Sequence, residues 1–252
     1  MATAVDPGEL ERLRSRLSSL ELLVGTISHA LKGQLTGVDG GMYLLNSGSA
    51  KNDPERMKKG AAMVQRNLGR VRGTVLNVLY YARDRDPLYA PVSAPDLVQG
   101  LTETLQKTAA EAGVAFSAEI APGTGEFAAD PRALNSLLVN LLDQALEACG
   151  ADPEDKRHWC RLSVSQEEGQ VVLSVQDNGR GMDPETREKV LNPLFTAKIE
   201  GAGLGVFIAA KVARAHGGNL EVASAPGGGN VYTVRIPGGP AARGEPPLLD
   251  CR

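Results

Sequence analysis

The residues able to do chemistry in this chain fall into two glycine clusters and one histidine. Asp177 closes the alternating run Val171–Gln176 and is followed by Asn178-Gly179-Arg180-Gly181-Met182. A carboxylate at a strand end can accept a hydrogen bond from an exocyclic amine, and glycines let the backbone approach a flat ring closely. Further on, Gly201-Ala202-Gly203-Leu204-Gly205 opens an apolar helical stretch, whose first amides and positive dipole end can hold phosphate. An amine-bearing base with a phosphate tail is a nucleotide. The spacing fits neither a P-loop, which needs G-x-x-x-x-G-K-S/T, nor a dinucleotide fold, which needs strand, glycine loop and helix with an acid about 20 residues on. Upstream stands His29, in Ile27-Ser28-His29-Ala30-Leu31-Lys32-Gly33. A neutral exposed imidazole has a nucleophilic nitrogen near pH 7, as attack on a terminal phosphoryl group requires.

The elements that position these groups differ between the two halves of the chain. Leu10, Leu13, Leu17, Leu20, Val24, Ile27 and Leu31 alternate steps of three and four, the repeat of a coiled-coil seam. A second series follows the helix-entry pair Asp53-Pro54, through Met57, Ala61, Val64, Leu68, Val71, Val75 and Val78, to about Arg83. The turn between them is expected at Asn46-Ser47-Gly48-Ser49. Such a hairpin carries more apolar stripe than a two-helix contact can cover, which points to a homodimeric four-helix bundle. With Val24 and Ile27 at a and d, His29 takes the outward f position. Gly33, Gly37, Gly40 and Gly41 disfavour helix by roughly 1 kcal/mol each, so they mark close helix packing or a local kink.

Asp84-Arg85-Asp86-Pro87 ends the hairpin, and the pattern then becomes mixed. Helices are expected over 96–112, 131–149 and 205–215. Strands are expected over 114–120, 162–166, 171–176, 219–224 and 230–236. This is an α/β sandwich with helices on one sheet face. The domain boundaries read as 9–88 for the hairpin and 92–237 for the α/β unit, with a Gly- and Pro-rich tail, 238–252, expected to be disordered.

Bulk composition narrows the function classes. The 252 residues are 42% hydrophobic and 23% charged with a net charge of −3, which gives no electrostatic footprint for nucleic acid. Cys149, Cys160 and Cys251 have neither disulfide nor zinc-ligand spacing and read as free thiols of a reducing compartment. No run of about 18 apolar residues and no leader pattern occurs, so the chain is expected to be cytoplasmic, without a membrane span.

Taken together, Asn140-Leu141-Leu142-Asp143-Gln144-Ala145, the Asp177 cluster, Leu194-Phe195-Thr196-Ala197-Lys198 and the Gly201 cluster resemble, in order, the N, G1, F and G2 boxes of sensor histidine kinases. Ile27-Ser28-His29 resembles that family's phosphoacceptor box. His216-Gly217-Gly218 and Gly227-Gly228-Gly229 resemble its C-terminal end. The resemblance implies a helical hairpin for dimerisation and histidine phosphotransfer, followed by a Bergerat-type ATP-binding domain shared with gyrase, heat-shock and mismatch-repair ATPases. It assigns Asp177 to the adenine amine, Gly179 and Gly181 to the wall around the base, and Gly201, Gly203 and Gly205 to the phosphates. Phe195 would anchor a short lid, Leu204 would pack in it, and Lys198 would approach the phosphates. Asn140 and Gln144 would face Mg²⁺, and His29 would take the γ-phosphoryl group of ATP and pass it to an aspartate of a response-regulator receiver domain. The Leu10–Leu20 heptads would continue from a sensor module outside this chain.

Four positions depart from the family pattern. Gln144 replaces the second N-box asparagine, Ala30 replaces the acid that follows the phosphoacceptor, and Gly33-Gln34 replaces Asn or Thr and proline. These departures define the alternative, a degenerate kinase that binds nucleotide and regulates a partner by docking, without autophosphorylation.

Overall fold

A computed structural model describes residues 7–82, 86–191 and 203–239, some of them by their backbone alone. The chain falls into two compact units, one of Met1–Asp84 with Lys189–Phe207 and the other of Arg85–Glu188 with Ile208–Arg252.

The first unit contains two long helices, α1 (Pro7–Ala50) and α2 (Pro54–Ala82), packed along each other. The turn between them lies at Lys51–Asp53, past the expected Asn46–Ser49. The reason is local. Ser47 Oγ donates to the Leu44 carbonyl at 3.2 Å and accepts from Arg56 Nε at 2.7 Å, so its polarity is satisfied inside the helix. Gly48 stays helical because Met57 packs against it, at 2.9 Å from where a Cβ would stand. The chain reverses one turn later. Asn52 takes a left-handed conformation (φ 49°), with Asp53 N donating to Gly48 O at 2.8 Å and Asn52 N to Ser49 O at 3.2 Å. This paired geometry is a Schellman C-cap. Asp53 then caps α2 by accepting from Arg56 N at 3.0 Å.

α1 runs as one unbroken helix through its glycines. Gly37, Gly40 and Gly41 face Asn67, Met63 and Val64 of α2 closely, whereas nothing approaches Gly33. The closest backbone crossing is Gly41 against Gly60, where a Cβ on Gly60 would sit 2.7 Å from both Gly41 O and Leu45 N. Gln34, at the family's proline position, donates its amide across the hairpin to the buried Thr74 hydroxyl at 2.9 Å.

In the second unit, β2 (Ala115–Ile120), β4 (Trp159–Glu167), β5 (Gln170–Asp177), β7 (Asn230–Pro237) and β6 (Asn219–Ser224) form one sheet in the order β2-β4-β5-β7-β6. The β2–β4 pair is parallel and the others are antiparallel. Helices α3 (Ala94–Glu111) and α4 (Pro131–Gly150) pack against the sheet, and α6 (Gly203–Ala215) leads into β6; the short α5 (Pro184–Lys189) follows the Asp177 loop. The apolar stripe Leu134, Leu137, Leu138, Leu141, Leu142, Ala145 and Cys149 of α4 is wholly buried and meets the inward residues Leu162, Val164, Leu173 and Val175. A helix period meeting a strand period in this way is what the sandwich requires.

Two strands were not expected. β1 (Ala90–Ser93) and β3 (Glu126–Ala129) form a separate antiparallel pair, with Val92 opposite Phe127. The β3–α4 junction is pinned by Asp130, which accepts from Arg132 N and Ala133 N and also from Leu88 N at 3.1 Å. His216 completes the knot. Its Nδ1 donates to Val212 O at 2.8 Å, and its Nε2 accepts from Asp130 N at 3.0 Å. No helix among the described residues is long and apolar enough to cross a membrane.

The two environments of glycine in the hairpin predict opposite outcomes for one substitution. Gly60→Ala should destabilise the hairpin by about 1–3 kcal/mol through the backbone collision. Gly69→Ala, on open helix surface, should stabilise it by about 0.5–1 kcal/mol. Chemical denaturation followed by circular dichroism checks both signs.

Candidate nucleotide site

The site is assembled where the end of β5, the C-terminal turn of α4 and the start of β7 converge. Asp177 is fully buried on β5, opposite Cys160 of β4. Its Oδ1 accepts from Gly179 N at 2.9 Å and from Asn230 Nδ2 at 3.4 Å, and its Oδ2 from the same amide at 3.3 Å. Oδ2 retains capacity for a further donor. Burial dominates the electrostatics and pushes the carboxyl up from 3.8 to about 6, against the Gly179 and Asn230 hydrogen bonds that favour its charge. Around it, burial also raises Cys149 to about 11, and raises Cys160 and Tyr232 further. These neighbours therefore stay neutral while Asp177 titrates.

Gly179 passes directly over the end of α4. A Cβ there would collide with the backbone of Ala148 and Cys149, and the next residue, Arg180, donates its N–H to Ala148 O at 2.9 Å. Gly181 runs beside Gly229, so the loop wall after Asp177 is backbone. Asn178 fastens the same loop to β4: its Oδ1 accepts from Trp159 N at 2.7 Å and its Nδ2 donates to Arg157 O at 3.0 Å. Asn140 and Gln144 lie on α4, one turn apart and off its buried stripe. Asn140 Nδ2 donates to Ser136 O at 2.8 Å and Gln144 Nε2 to Glu147 Oε2 at 3.1 Å, and both amide oxygens are hard donors. At 1.5 Å per residue, Asn140 stands about 12 Å along the helix from Ala148.

The other expected residues are placed more coarsely. Gly203 and Leu204 open α6 and Gly205 lies in its first turn. Phe195, Lys198 and Gly201 lie outside the described residues, as does the side chain of His29, whose backbone is within α1. The outward orientation expected for His29 therefore falls outside as well. Cys149 and Cys160 are free, buried thiols. Among the described residues no three His, Cys, Asp or Glu side chains gather as a metal site. Asn230 is the residue that sequence reasoning missed. Its signal was a polar residue at the head of the inward series Asn230, Tyr232, Val234 and Ile236, all buried.

Residues 129–240 match the family described as histidine kinase-, DNA gyrase B- and HSP90-like ATPase. This match and the similarities that follow support a histidine kinase catalytic core with a Bergerat-type ATP-binding domain. Over 222 residues the chain is 28% identical to the signal transduction histidine-protein kinase AtoS of Escherichia coli K12, covering 88% of this chain and 35% of that protein. It is 31% identical to the sensor protein kinase FleS of Pseudomonas aeruginosa, covering 90% of this chain and 54% of FleS. The chain thus spans roughly a third to a half of the curated relatives it matches. The histidine kinase ThkA, solved in complex with response regulator protein TrrA, shares the fold with a TM-score of 0.67 at 22% identity, over 96% of this chain and 70% of that one.

The raised Asp177 value sets the sign of a pH effect. A carboxyl with a folded value near 6 and an unfolded value of 3.8 destabilises the fold fully above about pH 6, and the cost is relieved as pH falls toward 4. Without nucleotide, the chain should gain about 1 kcal/mol between pH 7.5 and pH 5, a few degrees in melting temperature, relative to Asp177→Asn. Melting curves of both proteins at the two pH values measure the difference.

Proposed function

We propose that the chain is an ATP-dependent protein-histidine kinase that autophosphorylates His29 and passes the phosphoryl group to an aspartate of a response-regulator receiver domain. The observation that carries this reading is the buried, glycine-walled Asp177 site in a chain whose helix α1 carries a histidine in a phosphoacceptor-like box. In this reading Asp177 accepts from the adenine amine, Gly179 and Gly181 admit the ring, and the amides at Gly201, Gly203 and Gly205 hold the phosphates. Phe195 and Leu204 belong to the lid, and Lys198 balances phosphate charge. A His29 ring nitrogen attacks the γ-phosphorus in line, ADP leaves with the bridging oxygen, and the imidazole proton passes to solvent. No acid stands at Ala30 to take that proton.

The neutral amide oxygens of Asn140 and Gln144, one helical turn apart, fit Mg²⁺ that arrives with the nucleotide better than a dedicated protein cage. Held by those two side chains, Mg²⁺ would supply charge neutralisation at the phosphates. The hairpin surface supports a homodimer. Val24, Leu35 and Met42 of α1 and Met57, Leu68 and Val75 of α2 are exposed large apolar residues. Both sets are spaced by eleven and then seven residues, close to whole numbers of helical turns, so each forms one straight stripe. Two such hairpins cover one another's stripes in a four-helix bundle. The reading assigns 9–88 to the phosphotransfer hairpin and 92–237 to the ATP-binding domain, and places the reaction in the cytoplasm, fed by a sensor module upstream.

Incubation with γ-labelled ATP and Mg²⁺ should give acid-labile, alkali-stable label that disappears in His29→Ala; nucleotide binding without label in the wild-type chain would leave a docking regulator instead. Ala30→Glu places a general base beside the nucleophile and should raise the labelling rate by about 100-fold, the low side of what such assistance gives. A quenched-flow time course of label incorporation measures it.

A further inference from the structure

We propose that Asn230 is the positioning residue that sets base specificity: by directing its amide at both oxygens of Asp177 it holds that carboxylate as an ionised acceptor, selecting 6-amino over 6-oxo purines. The proposal rests on the nucleotide reading of the Asp177 site.

Asn230 is 2% exposed, and each of its polar atoms is spent on the site. Nδ2 donates to Asp177 Oδ1 and Oδ2, at 3.4 and 3.3 Å, and to Arg180 O at 3.3 Å. Oδ1 accepts from Met182 N at 2.9 Å. That last bond fixes which way the amide points. Met182 N–H demands the oxygen, so the N–H₂ group must face the carboxylate. An acid in this buried position has two states that recognise opposite partners. Ionised, it only accepts, and pairs with an exocyclic amine; protonated, it donates, and pairs with a 6-oxo group. Burial favours the protonated form, and the Asn230 amide opposes it. The groups facing Asp177 from other elements are Cys149 of α4, Cys160 of β4, Tyr232 of β7 and Lys156 of the α4–β4 connection. The thiols and the phenol hold no charge in the neutral range, and Lys156 remains cationic, so the asparagine is the local side chain that supplies a directed donor.

Asn230→Asp separates this role from simple support of the loop. It keeps an oxygen for Met182 N–H and replaces the amide donor facing Asp177 with a second acid. Asn230→Ala removes both bonds, and Asn230→Thr keeps one hydroxyl donor. The experiment measures the affinity of the full chain for ATP and for ITP from pH 5.5 to 8.5, with a melting curve for each variant. The wild type should prefer ATP above pH 7, and the preference should narrow as pH falls through about 6, the value to which Asp177 is pushed. In Asn230→Asp the midpoint should rise by at least about one pH unit, so that the ATP-to-ITP ratio at pH 6.5 falls about tenfold; Asn230→Thr should fall between the two. A folded Asn230→Asp with unchanged ratio and midpoint overturns the proposal and leaves Asn230 as a loop support. A wild type that binds neither nucleotide, or both equally at every pH, overturns the nucleotide reading itself.

Discussion

The structure depends on keeping one carboxylate in a place that water does not reach. Asp177 lies at the end of a central strand with no exposed surface, and desolvation works against its charge. A buried charge persists only when donors replace water. Those donors come from Gly179 N–H and the Asn230 amide, and each imposes a further constraint. Gly179 must pass over the end of α4 without a Cβ, which fixes the residue type and brings Arg180 N–H to Ala148 O. Asn230 must begin a strand on its inward face, which ties β7 to the loop through Met182. The α4 leucine stripe then holds the helix end to which both are referred. In the proposed reading that tension is also its use, because a ligand amine would supply what burial took away.

The hairpin obeys a different constraint, that of surface it cannot cover alone. Its inner face is closed by glycine contacts at Gly41 and Gly60 and by the Gln34–Thr74 hydrogen bond. Its outer face carries two apolar stripes whose equal spacing follows from helix geometry. Gln34 in place of a proline leaves α1 continuous through the segment after His29, because no i to i−4 hydrogen bond is lost there.

Much of this was legible in the sequence, and for identifiable reasons. The alternation on β5 follows burial and the 3.5-residue repeat on the hairpin follows helix geometry, so the strand ending in Asp177 and both long helices could be read from spacing. Gly179 and Gly181 were read as admitting a flat ring; at Gly179 the close approach found is to the backbone at the end of α4, where a side chain has no room. The misplaced turn shows the limit of composition. Asn46-Ser47-Gly48-Ser49 has turn chemistry, but tertiary contacts with Met57 and Arg56 hold it in helix, and Asn52 supplies the left-handed residue instead. β1 and β3 escaped because each has four residues, one with a proline, too short for alternation to register. Asn230 escaped because the first residue of an expected strand shows no chemistry of its own in the sequence, and its role exists only once β7 lies beside β5.

The central claim is that an ionised Asp177 is the acceptor for a base amine. Proton release on binding tests it most directly. Calorimetric titration of the full chain with ATP in buffers of different ionisation enthalpy at pH 6, with Asp177→Asn as the reference for the nucleotide's own protons, should show about half a proton released per nucleotide, falling to none at pH 8. Proton uptake at pH 6, or a wild-type chain indistinguishable from Asp177→Asn in both affinity and proton balance, would contradict the account.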